Sequence, residues 1–137
     1  MRIEVPSDAH LPTDYVESER LRLEMYKRLA EVRTDADVEE VAAEMADRYG
    51  PLPEAATKLL DVARLRNAAR AAGLSEIIAA GRTVRFAPAK LTESRTMRLQ
   101  RLYPGSLVKN ETVHLPLPKG VADMVAWCGE VIDQIFV

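Results

Sequence analysis

Four carboxylates, Asp37, Glu40, Glu44 and Asp47, recur at spacings of three, four and three residues, which at about 100° per residue places them on one side of a helix. Acids so arranged could hold a divalent cation, act as a paired acid and base, meet cationic groups on a partner, or form the hydrated face of a surface helix. No His, Asn or glycine loop accompanies them, so the choice narrows to solvation or a partner.

The other reactive residue types are sparse. Cys128 is the single cysteine, which excludes an internal disulfide and a multi-cysteine zinc site, and it lies in an apolar stripe that suits a buried structural thiol. The two histidines, His10 and His114, are far apart in sequence; His114 alternates with Val113 and Leu115, as an outward residue of a hairpin does. Neither a phosphate-binding glycine loop nor a dinucleotide fingerprint occurs, and no nucleophile has a positioned base beside it. No metal, cofactor or catalytic residue is expected. Arg64, Arg66 and Arg70, with Arg95, Arg98 and Arg101, could form a phosphate-tracking patch, and a nucleic-acid-binding accessory domain using the arginines of residues 64–101 is the alternative reading. Stacking rings are scarce there, so scattered surface charge is the default and direct DNA binding is not expected.

These side chains must be positioned by elements that the pattern marks out. Arg2–Val5 alternates as a short edge strand before Pro6, and an opening in mid-strand suggests a fragment of a longer chain. From Ser18 a first helix places Leu21, Met25, Leu29 and Val32 on one face, opposite Arg20, Glu24, Lys27 and Glu31. Thr34 and Asp37 form a capping box for a second helix that ends at Tyr49 before Gly50-Pro51; Val38, Val41, Ala42, Met45 and Tyr49 are its core arc. A third helix opens at Pro53 and stops at Gly73. Its apolar residues go most of the way round, with Asp61 and Arg64 at the wet edge.

The period then changes from helical to two. Ser75–Ala80 and Thr83–Ala87 form a hairpin about Gly81-Arg82, and Thr92 caps a basic helix to about Tyr103. Leu107-Val108 pairs with Val113–Leu115 about Asn110-Glu111. A last helix from about Gly120 lines up Val121, Val125, Cys128, Ile132, Ile135 and Phe136. The fold class is α+β: three helices after a short edge strand, then two β-hairpins with interspersed and C-terminal helices, in a single compact domain spanning 1–137.

Composition agrees. The 137 residues are 47% hydrophobic and 29% charged, globular rather than disordered, and no apolar run spans a membrane or forms a signal peptide, so the expected location is cytoplasmic with no membrane partner. Residues 1–74 carry 11 basic and 15 acidic groups and residues 75–137 carry 8 and 6, so the overall charge of −2 conceals a dipolar chain.

Three blocks in order are similar to one family: Arg22-Leu23-Glu24-Met25-Tyr26-Lys27-Arg28-Leu29-Ala30, Glu44-Met45-Ala46-Asp47-Arg48-Tyr49-Gly50-Pro51-Leu52-Pro53, and Leu59-Leu60-Asp61-Val62-Ala63-Arg64-Leu65-Arg66. Together with Ile3-Glu4-Val5-Pro6 and Leu11-Pro12-Thr13-Asp14-Tyr15-Val16, they resemble the C-terminal domain of bacterial transcription-repair coupling factors (Mfd), with Tyr49 in place of the family's common phenylalanine. The resemblance implies a non-catalytic regulatory lid, the last domain of a multi-domain ATP-driven DNA translocase that displaces RNA polymerase and recruits excision repair. In that family the domain packs on a UvrB-like module of the same polypeptide and masks the surface that binds UvrA. On this reading Glu44 and Asp47, flanked by Glu40, are expected to face arginines of the UvrB-like module.

Overall fold

The computed structural model describes residues 1–137, which form two compact units: a helical unit, Ser7–Asn67, and a sheet unit, Met1–Pro6 with Ala68–Val137. The chain is α+β, with the element order β1 (Arg2–Glu4), α1 (Glu19–Glu31), α2 (Asp35–Tyr49), α3 (Glu54–Ala71), β2 (Glu76–Ala80), β3 (Thr83–Ala87), α4 (Glu93–Leu102), β4 (Leu107–Lys109), β5 (Thr112–Pro116) and α5 (Met124–Val131). A π-helical turn over Ile132–Phe136 follows α5.

Local chemistry sets the helix ends in the helical unit. Ser18 accepts a hydrogen bond from the Leu21 amide at the start of α1, and Thr34 and Asp37 make the reciprocal bonds of a capping box at the start of α2. The core holds Leu11, Met25, Leu29, Val32, Val38, Val41, Met45, Ala56, Leu60 and Ala63, so the faces read from the periodicity are the ones that turn inward. The segment before α1 is tied down by directed bonds: the Leu11 amide donates to the Tyr26 hydroxyl at 2.8 Å, and Arg22 donates to the Val16 carbonyl at 2.7 Å. Tyr15 donates to the carbonyls of Gly50 at 2.8 Å and Met45 at 3.2 Å, fastening the same segment to the end of α2.

The sheet unit contains one five-stranded sheet in the order β1-β2-β3-β5-β4. β1 runs parallel to β2 with Ile3 opposite Ile77, and every other pair is antiparallel. A parallel neighbour requires a long crossover, and here α1, α2 and α3 all intervene in sequence between the two strands. Ile77, Phe86 and Val113 lie in register across three strands and are fully buried, and Phe86 stacks on Phe136 at 5.8 Å. Gly81 has φ +62° at the first turn position of the β2–β3 hairpin, the value a II′ turn needs and a glycine adopts without strain.

The last helix differs from the sequence expectation. It begins at Met124, where Asp123 accepts the Ala126 amide at 3.0 Å, and not near Gly120, whose φ of +71° is incompatible with a helix. Val121 therefore lies outside the helix and is exposed, whereas Val125, Cys128, Ile132 and Ile135 are buried as expected. Two arginines finish this segment: Arg95 donates to the Ile135 carbonyl and Arg98 to the Gln134 carbonyl, each at 3.1 Å. Cations against the last carbonyls of a helical segment also favour its dipole.

Candidate interaction face on the second helix

α2 presents the acidic stripe from a helix fixed at both ends. At its start the Asp37 carboxylate accepts the amides of Arg33 at 3.1 Å and Thr34 at 3.2 Å, and those two bonds hold its pKa below the ordinary 3.8. Asp37 is thus a capping residue. At its end the Gly50 amide donates to the Ala46 carbonyl, and Tyr49 meets Tyr15 edge-on at 5.8 Å.

The three predicted contact residues divide. Glu40 and Asp47 are exposed and make no ion pair within the chain. Glu44 is half-buried and faces the Arg28 guanidinium of α1 in an ion pair, so it is not the freely hydrated carboxylate that the spacing suggests. Arg28 is the residue that sequence reasoning missed. The α1–α2 pairing that brings it to Glu44 is tertiary, and nothing local in the sequence signals it. A second such link joins Glu39 to Arg64 of α3, which also donates to Asp61 at 2.9 Å.

Between α1 and α2 lies a shallow groove of about 210 Å³, lined by Arg28, Glu31, Val32, Asp37, Glu40 and Val41. Its three carboxylates against one guanidinium make it electronegative, so it can accept guanidinium or ammonium groups. No group of three or more His, Cys, Asp or Glu side chains has the geometry of a metal site. Cys128 is fully buried, and burial pushes its thiol up to about 12, far from the thiolate a nucleophile needs. His114 sits between buried Val113 and Leu115 on the other face of β5, as its alternation implies. Of the six arginines considered for a phosphate patch, Arg64, Arg66, Arg70, Arg95 and Arg98 are engaged within the chain, Arg64 with Glu39 and Asp61, and Arg95 and Arg98 with the Ile135 and Gln134 carbonyls.

The architecture is that of a small α+β domain in which a helical unit is inserted after the first strand of a five-stranded sheet. A family model described as the TRCF domain matches residues 5–99, and the chain belongs to that family. It is 48% identical over 122 residues to the transcription-repair-coupling factor of Mycobacterium bovis, covering 87% of this chain and 10% of that protein. It is 39% identical over 75 residues to the Escherichia coli protein of the same name, covering 55% of this chain and 6% of the relative. The chain thus spans about a tenth or less of the length of these relatives. The fold is similar to a crystal structure of the C-terminal domain of transcription-repair coupling factor, with a TM-score of 0.74, 16% identity, and coverage of 98% of this chain and 92% of the other.

Proposed function

We propose that this chain is the non-catalytic regulatory lid of a transcription-repair coupling factor acting in transcription-coupled DNA repair in the cytoplasm. In this reading the parent is an ATP-driven DNA translocase, and the lid packs on its UvrB-like module and masks the UvrA-binding surface until the motor engages RNA polymerase. The observation that carries the reading is the outer face of α2, where exposed Glu40 and Asp47 stand on a helix capped at one end and pinned by Tyr15 at the other. A preorganised carboxylate forms directional bonds with arginine of roughly 1.5–3 kcal/mol each, and two such contacts bias a lid without locking it. Contacts that must open are small and polar, which suits this face. Glu44 contributes by shaping the face, since Arg28 occupies it in the free domain.

Deleting this segment from the parent is the test. A lid stabilises the closed state only through its differential contacts, so deletion raises UvrA affinity and leaves the motor able to hydrolyse ATP. Unchanged UvrA binding and basal ATPase activity after deletion would refute the lid.

A further inference from the structure

Arg28 stands in the last turn of α1 and reaches across to α2. In the groove between the two helices it is the one cation beside the carboxylates Glu31, Asp37 and Glu40, and it pairs with Glu44, one turn beyond Glu40. Asp37 is committed to the Arg33 and Thr34 amides. Of Glu40, Glu44 and Asp47, only Glu44 is neutralised from within the chain. The pair is half open to solvent, with side-chain exposures of 43% for Arg28 and 38% for Glu44, yet the Glu44 Oε2 atom itself is buried. A fork-to-fork bond from an incoming arginine needs both oxygens of a carboxylate, and Arg28 covers one of them.

We infer, resting on the lid reading above, that Arg28 is a built-in competitor of docking: it holds Glu44 in the free domain, and an arginine of the UvrB-like module must displace it to take that carboxylate on both oxygens. Two effects act in the same direction. Displacement forfeits the resident pair, and the Arg28 charge repels a guanidinium that approaches Glu40 across the groove. The resident pair is weak enough to give way, because both side chains are partly hydrated and such pairs contribute little. An orienting role for Arg28 fits less well, since a cation that presents Glu44 to a partner leaves its oxygens free, and Oε2 is not. The consequence is a lid held less tightly than its acids alone would hold it, and therefore ready to open.

The test compares the UvrA affinity of the full-length parent as wild type, with Arg28→Gln, with Glu44→Gln, with both changes, and with this domain deleted. Arg28→Gln should lower UvrA affinity about two- to fivefold, because the closed lid is favoured, and most of that effect should vanish when Glu44→Gln is also present. A raised or unchanged affinity in Arg28→Gln, while deletion still raises it, would overturn the competitor and leave the lid. A second measurement does not depend on the lid: the chain alone, isotopically labelled, is titrated with a short arginine-containing peptide with blocked ends. Arg28→Gln should bind this peptide about two- to fivefold more tightly than wild type, with chemical-shift changes at Glu40, Glu44 and Asp47. Tighter peptide binding together with a deletion that leaves UvrA affinity unchanged would refute the lid and support the competition at this face. Equal peptide binding by wild type and Arg28→Gln would overturn the competition. A melting temperature of the variant within a few degrees of wild type excludes loss of the fold as the cause.

Discussion

The Tyr15 hydroxyl donates to the Gly50 carbonyl at 2.8 Å, while the hydroxyl of its ring neighbour Tyr49, 5.8 Å away between centroids, is buried without a partner. The two tyrosines share one aromatic contact, yet their polar atoms act in opposite directions. Tyr15 satisfies a carbonyl at the end of α2, and Tyr49 carries the desolvation cost of a group that gains nothing in return.

Tyr15→Phe is therefore expected to destabilise the domain by about 1–2 kcal/mol, because the Gly50 and Met45 carbonyls lose their donor. Tyr49→Phe is expected to leave stability unchanged or raise it by up to about 1 kcal/mol, since Arg48 still packs over the ring at 5.2 Å. Urea denaturation of the two variants beside wild type checks both, and equal losses would show that the Tyr49 hydroxyl has a partner in solution.

The Arg28–Glu44 pair is partly exposed on both sides, so its coupling should be small. A double-mutant cycle with Arg28→Ala and Glu44→Ala is expected to give roughly 0.2–1 kcal/mol, reduced by salt. Strictly additive losses would mean that the two side chains do not meet in solution.

Much of this was legible because the signals are local. Thr34 with Asp37, and Gly50 with Pro51, bound α2 within four residues at each end, and its inward face follows from the 3.6-residue period alone. The same periodicity misled at the last helix, because Val121 stands four residues before Val125 and fits the stripe, while the Asp123 cap decides where the helix starts. The partner of β1 was not legible, since Ile3 pairs with Ile77 across three intervening helices. Of the candidate face, the spacing identified Glu40 and Asp47 as outward residues, but Glu44 needed the packing of α1 to reveal Arg28.

Alkaline pH offers a further test. Burial raises the Cys128 thiol from an ordinary 9.0 to about 12, and burial, then Tyr49, raises the Tyr15 hydroxyl above an ordinary 10.0. Both groups bind their protons more tightly when folded, so the stability they supply is complete below the unfolded values and is lost as pH rises through the folded ones. Stability should fall steadily from pH 9 toward 12, less steeply in Cys128→Ala, and the native thiol should resist a disulfide reagent until denaturant is added. A rapid native reaction would contradict the buried assignment.

Acid titration probes the α2 cap. Amide bonds from Arg33 and Thr34 lower the Asp37 pKa, so its contribution is present above the ordinary 3.8 and disappears as pH falls through the lower folded value. Asp37→Asn should flatten the acid limb of the stability curve below about pH 4 without moving the alkaline limb. An unchanged acid limb would remove Asp37 from the cap.

The lid account is tested most directly by the affinity of the full-length parent for UvrA when Glu40 and Asp47 are both replaced by arginine. Both sites are exposed, so the isolated domain should keep its stability to within about 0.5 kcal/mol, which thermal melting verifies. Like-charge repulsion at the docked face should then open the lid, and the variant should bind UvrA more tightly than wild type, with the difference shrinking as salt is added. Equal UvrA affinity of the intact, charge-reversed protein and wild type would contradict the account and leave the stripe a hydrated helix face.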